Sequence, residues 1–327
     1  MNSIPNQVHF IWIGSGFPWL YYLSILSAVN NGAFDKVFVH YTELGLDEKW
    51  FSLLSGLDDV IVKEMDFDVL FPSSDIMLKK LGMQRTLIDN NPVIQTNLLR
   101  YAILYLYGGI YLDFDVFVLR SFQSILKTIR TSFFAGEEKI LFPEYIIHPS
   151  GIKNRFLKFR SRIIAQYRNL CKWIPHGYLL FKSRKLYIPT VNQAILGSER
   201  RSMFITKTIE HLNSFSAADL NTYLKTGPFL FQKIVNCPDL HTHVEVLPTY
   251  CFYPVPPEMT KHIFRSYRRF DINKFYNLDS SYTLHWYSST FRRSKVRINE
   301  IDDISLKTRF NFPILESILS KYITKKL

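Results

Sequence analysis

Two carboxylates one residue apart, Asp113 and Asp115, interrupt the otherwise apolar run Ile110–Leu119, IYLDFDVFVL. Ionised side by side in apolar surroundings they repel each other and lose hydration, so they need a compensating cation. A hard divalent ion supplies it: oxygen ligands favour Mn²⁺ or Mg²⁺, and such ions usually share their coordination with substrate phosphates. The chemistry this points to is the handling of a phosphate-bearing substrate. The competing reading is the solvated end of an edge strand. On an ideal strand residues i and i+2 point the same way; where the strand ends, both carboxylates can reach into one site at its edge.

The elements that must hold this pair are readable around it. Upstream, Asn91 can cap a helix with Pro92 at its first position. Ile94, Leu98, Tyr101 and Tyr105 form the apolar stripe, and Gly108-Gly109 supplies the stop. At the start of the chain Val8–Ile13 reads as a buried strand, Trp19–Asn30 as a helix and Lys36–Tyr41 as a second strand. That β-α-β opening implies parallel pairing. Val60–Val62 is a candidate third strand, and Ser73–Leu87 reads as helical or irregular.

Composition excludes several classes. With 327 residues, 47% apolar content, 13 Gly and 15 Pro, the chain has enough apolar side chains for a large core and no disordered or fibrous signature. Three cysteines, Cys171, Cys237 and Cys251, form no CxxC pair, which argues against a zinc ribbon or disulfide framework and for a reducing compartment. The longest apolar stretch, Tyr101–Leu112, is 12 residues, short of the roughly 20 a membrane span requires. No signal-peptide pattern and no Asn-x-Ser/Thr acceptor occurs, so a cytoplasmic protein is expected.

Charge is uneven. Residues 1–150 carry 11 basic and 16 acidic side chains, residues 151–327 carry 29 and 12, and no acid falls between Tyr145 and Ser198. Within that stretch Phe156, Phe159, Ile163, Tyr167 and Leu170 are spaced as one helix face, among Lys153, Lys158, Arg160, Arg162 and Arg168. The spacing predicts a basic amphipathic helix, either packed on the core or facing an anionic membrane surface or phosphate-bearing acceptor along Lys153–Lys185. No nucleic-acid recognition motif accompanies the charge, and nucleic acid is not an expected partner.

The stretch Thr96–Val116, TNLLRYAILYLYGGIYLDFDV, resembles the signature of the DXD-containing sugar-nucleotide glycosyltransferases: the initiating α-1,6-mannosyltransferase-like and bacterial capsular polysaccharide enzymes and, more distantly, the clostridial glucosylating toxin catalytic domains. Further resemblances keep the family's order: IPNQVHFIWIG at the start, NQAILGS at Asn192–Ser198, TGPFLF at Thr226–Phe231, VLPTYCFYPVP at Val246–Pro256 and LHWYSSTF at Leu284–Phe291. In one place the chain departs from the pattern, carrying Asn97 where the family has an Asp that contacts sugar hydroxyls. An amide still donates and accepts hydrogen bonds but removes a negative charge near the donor, with consequences for donor choice or catalytic strength.

What the resemblance implies is a single α/β catalytic domain over 1–327, a Rossmann-like glycosyltransferase A-type fold. An appended basic helical subdomain at 145–187 and a C-terminal helix at 305–327 complete it. Asp115 would be the direct metal ligand, Asp113 a ribose or water-mediated metal contact, and His285 a third ligand or diphosphate donor. Arg100 would touch donor phosphate or sugar, unless it serves as a structural ion pair, and Trp12 would stack on the base. Asn97, Asn192, Gly227 and Trp286 would line the donor pocket, while Tyr111 is either a core aromatic or a hydroxyl near the donor. The implied cofactor is Mn²⁺ or Mg²⁺, and the implied donor a nucleoside-diphosphate sugar, UDP-hexose before GDP-mannose. The implied reaction is hexose transfer, with retention by analogy, to a saccharide or lipid-linked saccharide at the inner membrane face. Rival readings are an effector-type enzyme modifying a protein, a haloacid-dehalogenase-like phosphatase using Asp113 as nucleophile, and an inactive sugar-binding protein. Against the phosphatase, Phe117 stands where Thr or Val is usual and the motif falls late in the chain.

Overall fold

The computed structural model describes residues 4–43, 49–88, 91–140, 188–266, 276–291 and 297–323, with isolated residues between 159 and 170 and at 272. The amphipathic segment 145–187 lies almost wholly outside the described residues.

The chain opens β1 (Gln7–Trp12), α1 (Trp19–Asn31), β2 (Lys36–Tyr41), β3 (Val60–Glu64). Four successive residues of β1, Val8 to Ile11, are buried because strands β2 and β4 flank it and both of its faces are covered; Val8 and Phe10 have no solvent exposure. Helix α2 (Ile76–Thr86) is capped by the Asp75 carboxylate, which accepts from the Met77 and Leu78 amides. Helix α3 (Pro92–Tyr107) starts as its sequence predicts, with the Asn91 side chain accepting from Val93 N–H and Pro92 in the first turn; all four stripe residues are buried.

Gly108, at φ 64°, ends α3, and Gly109, at φ 92°, begins β4 (Gly109–Leu112). A β-carbon at Gly109 would meet Gln7 and one at Gly108 the Arg200 backbone, so positive φ and close approach both demand glycine here. The expected single strand 110–119 is two: β4 and β5 (Val116–Val118), separated by a tight turn in which Val116 N–H donates to Asp113 O. Desolvated carboxylates are poor strand interior, and the break carries them to the sheet's crest.

The remainder supplies β6 (Phe133–Ile140), β7 (Ile188–Ser198), α4 (Met203–Leu212), α5 (Pro228–Val235), β8 (Val244–Leu247) and β9 (Thr283–His285). The main sheet runs β3-β2-β1-β4-β7-β6-β8, parallel through β4, then antiparallel at β4/β7 and β7/β6 and parallel at β6/β8. Between β6 and β7 the register jumps: Ala135 faces Leu196 but Gly136 faces Asn192, leaving three β7 residues unmatched in a bulge. Strand β9 pairs antiparallel with β5 in a separate two-stranded sheet, His285 opposite Val116.

The C-terminal helix expected over 305–327 is corrected to two short helices, Asp303–Thr308 and Pro313–Ile318, followed by a π turn over Leu319–Ile323. Pro313 cannot continue a helix from the preceding turn and starts a new one instead. No helix among the described residues is long and apolar enough to cross a membrane.

Candidate active site

The β4–β5 break and the β5–β9 pairing build the site together. Asp113 N–H donates to Ala194 O of β7, anchoring the turn, and Trp286 N–H donates to Asp115 O, locking β9 beside it. Those backbone bonds bring His285 Nε2 to 2.9 Å from Asp115 Oδ1, while Ser288 N–H donates to Asp115 Oδ2 at 2.7 Å. Tyr287, between them, adopts φ 50°, a left-handed conformation costly for a bulky residue, which turns the Ser288 amide toward the carboxylate. One ligand atom from each of Asp113, Asp115 and His285 lies within 4.8 Å of the others.

Arg100 reaches the same point from α3. Its guanidinium stands 3.3 Å from Asp113 Oδ1, donates to Gln193 O at 2.7 Å, and stacks 4.5 Å above the Tyr111 ring. Tyr111, itself buried, donates its hydroxyl proton to Asp113 Oδ1 at 2.5 Å. It is thus both a core aromatic and a group that orients the first aspartate. Gln193 joins the frame, accepting from the Tyr101 hydroxyl at 3.0 Å and donating to Asn97 Oδ1 at 3.3 Å.

Electrostatics divide the two aspartates. Burial pushes Asp113 above the usual carboxylate range and the charge of Asp115 adds to this, against the pull of Arg100. Burial would raise Asp115 too, but His285 and the Ser288 donor outweigh it and hold its pKa low. Burial alone would lower His285; Asp115 reverses that and raises it. Perturbed carboxyl and imidazole groups meeting in a cleft are the mark of a functional site.

These groups line a cavity of about 920 Å³. One end is aromatic: Trp12, half-buried, meets Tyr21 and Phe114 edge-on there. The other end is polar, with Thr96, Asn97, Asn192, Gln193, Glu138 and Gln232. Asn97 lines it but has no solvent exposure, and its amide also donates to the Thr226 hydroxyl at 3.4 Å. Asn192 spans from Glu138, to which it donates at 2.7 Å, to the Ala194 amide. Gly227 is buried behind the lining, which begins at Pro228. Trp286 is corrected: strand alternation sends it away from the cavity, into a fully buried position against Phe117, Tyr21 and Phe264. Glu138, Gln193, Tyr287 and Ser288 were not singled out from sequence.

Two carboxylates and an imidazole make a donor set that suits Mn²⁺ or Mg²⁺, and His285 Nδ1 has no hydrogen-bond partner among the described residues. With that geometry in view, comparison with known proteins adds a finding of its own: residues 56–131 match the family model described as "Glycosyltransferase sugar-binding region containing DXD motif". That matched stretch contains the acidic pair and Arg100. The open α/β sheet, parallel from β3 through β4 with the acidic pair just past the carboxyl end of β4, places the site where such sheets bind ligands.

No curated protein matches the chain. Solved structures similar to it include the PaToxG glycosyltransferase (18% identity, TM-score 0.44, covering 71% of this chain and 69% of that one). The UDP-bound glycosyltransferase domain of the YGT toxin is another (10%, 0.43, 75% and 80%), as is apo mouse xyloside xylosyltransferase 1 (13%, 0.41, 75% and 86%). All three are distant likenesses.

Proposed function

We propose that this glycosyltransferase moves a hexose from a nucleoside-diphosphate sugar, UDP-linked before GDP-linked, to the hydroxyl of a saccharide or lipid-linked saccharide. The observation that carries it is the convergence of Asp113, Asp115 and His285 within 4.8 Å, beside Arg100, inside the cavity that also holds Trp12.

Asp113, Asp115 and His285 would hold a divalent ion, Mn²⁺ or Mg²⁺, whose chemistry is to neutralise the charge that develops on a leaving diphosphate. The chain's own residues do the rest. Trp12 and Tyr21 offer faces on which a nucleobase stacks. Arg100 places a fixed cation at the diphosphate side of the cavity, held planar by Tyr111 and Gln193 so that little is lost in ordering it. Asn97, Asn192 and Gln193 present amide groups to sugar hydroxyls, and the walls exclude water. Retention by a front-face route is proposed by analogy with the resembled family alone.

The basic surplus of residues 151–327, and the exposure of Phe159, Ile163 and Leu170, support docking at an anionic membrane surface and a cytoplasmic location at its inner face, in surface polysaccharide synthesis.

The test is nucleotide release from a panel of UDP- and GDP-sugars with Mn²⁺, comparing the wild type with Asp115→Ala. The expected result is release from one or two donors, reduced ~10³-fold or more in the variant, since Lewis-acid stabilisation of a leaving group is worth several kcal/mol. Equal release by the variant refutes the assignment.

A further inference from the structure

Glu138 is a buried acid without an ion-pair partner. Only 6% of it is exposed, it lines the cavity, and among the described residues no lysine or arginine lies within ion-pairing distance of it. Its neighbours are the Asn192 amide at 2.7 Å, the Tyr287 hydroxyl, the His285 ring beyond, and a second acid, Glu258, that repels it. Burying such a group costs stability unless it is paired. Within the fold the carboxylate holds Asn192, while the sheet pairing of Glu138 with Thr190 runs through the backbone and makes no use of it. One amide donor uses only part of a carboxylate's acceptor capacity, and the group lines the cavity, so a ligand there can donate to it as well.

Position says which part of the ligand. Along the crest of the sheet the order β1, β4, β7, β6 sets Trp12, Asp113, Asn192 and Glu138 in a row. Neighbouring strands are about 4.8 Å apart, so the strand of Glu138 lies roughly 10 Å beyond that of Asp113, on the side away from Trp12. A nucleoside-diphosphate sugar is linear, from base through diphosphate to hexose. With its base at the aromatic end and its diphosphate at the acidic pair, the hexose extends over β7 toward β6, where the bulge in β7 carries Gln193 next to Asn192 and Glu138 lines the cavity.

We propose that the Glu138 carboxylate accepts hydrogen bonds from hydroxyls of the transferred hexose and so selects which hexose the enzyme uses. It is a specificity residue and makes no contact with the nucleotide. This rests on the donor chemistry proposed above, and the experiment separates the two.

The affinities of UDP and of the UDP-hexose released fastest in the panel are measured by calorimetry with Mn²⁺ for the wild type, Glu138→Gln and Glu138→Ala. UDP is expected to bind all three alike. The UDP-hexose should bind Glu138→Ala ~10- to 100-fold more weakly, the worth of a hydrogen bond to a charged group, with Glu138→Gln between. Glu138→Gln, whose amide oxygen still accepts from Asn192, is expected to melt within a few degrees of wild type, and its UDP affinity, like that of Glu138→Ala, excludes misfolding as the cause. Unchanged UDP-hexose affinity, or an equal loss for UDP and UDP-hexose, overturns the role of Glu138 while leaving the donor chemistry standing. A wild type that binds neither UDP nor any UDP-hexose overturns both.

Discussion

Two regions of this molecule bury histidines and drive them in opposite directions. Under β1 and β2, His9 and His40 stack with Phe38 and Tyr107. His9 Nε2–H donates to Gly108 O, which leaves Nδ1 to accept from His40 Nε2–H at 3.0 Å. Desolvation takes His40 down to about 4 and His9 well below its usual value. At the crest, His285 is as deeply buried, yet Asp115, Asp113 and Glu138 raise it. Depth is therefore not what sets the direction in which a histidine shifts. Carboxylates that share its cavity are.

The largest effect that sharpens this contrast is on activity. His285→Gln, which keeps shape but gives up the charged partner of Asp115, is expected to lower donor hydrolysis ~100-fold, read as nucleotide release under saturating Mn²⁺. His40→Gln, which keeps an N–H for His9, should leave that rate at wild-type level; a comparable loss in both would erase the distinction.

The next effect is on stability and its pH dependence. A histidine whose folded pKa is depressed stabilises fully above its unfolded value near 6.5, and that contribution is lost as pH falls toward the folded value. For His40 the window is pH 6.5 to about 4, and about 2 kcal/mol is gone by pH 5. His285 has the opposite sign, its contribution complete below 6.5 and lost as pH rises through its raised value. Urea unfolding at pH 7.5 and pH 5 is expected to show a smaller acid loss in His40→Gln than in the wild type. An identical loss in the two would mean that His40 is already protonated in the native state.

The smallest effect concerns Trp286. Its indole N–H has no partner among the described residues and it packs only in the core. Trp286→Phe is expected to cost ~1 kcal/mol of stability and nothing in nucleotide release; a fall in release at unchanged stability would put it back in the donor pocket.

Much of the fold was legible because its signals are local. Asn91, Pro92 and Gly108 bracket α3, and the apolar run of β1 is continuous because both of its faces are covered. The acidic pair stood out for the same reason, two charges in an apolar run. What local pattern could not give is pairing across the chain. His285 entered through motif resemblance, since no periodicity links it to Asp115. Trp286 was misplaced beside it although the two-residue strand period forbids both from facing one cavity. Glu138 stayed hidden as one of two adjacent glutamates, Glu137 and Glu138, on a strand whose edge or interior position sequence does not reveal. Its signal was the alternation itself, which points one of the two inward. Gln193 sat unnoticed next to Asn192 in a motif already recognised.

The short β5–β9 ladder joins residues 170 positions apart, Asp115 and His285. A ribosome therefore finishes the arginine, both acids and most of the sheet long before it makes the strand that clamps the second acid. Contacts of such separation form late and carry a large loop-closure cost. The nascent enzyme should stay silent until the strand that carries His285 is out, and fragments ending before residue 283 should leave the cell's sugar nucleotides untouched.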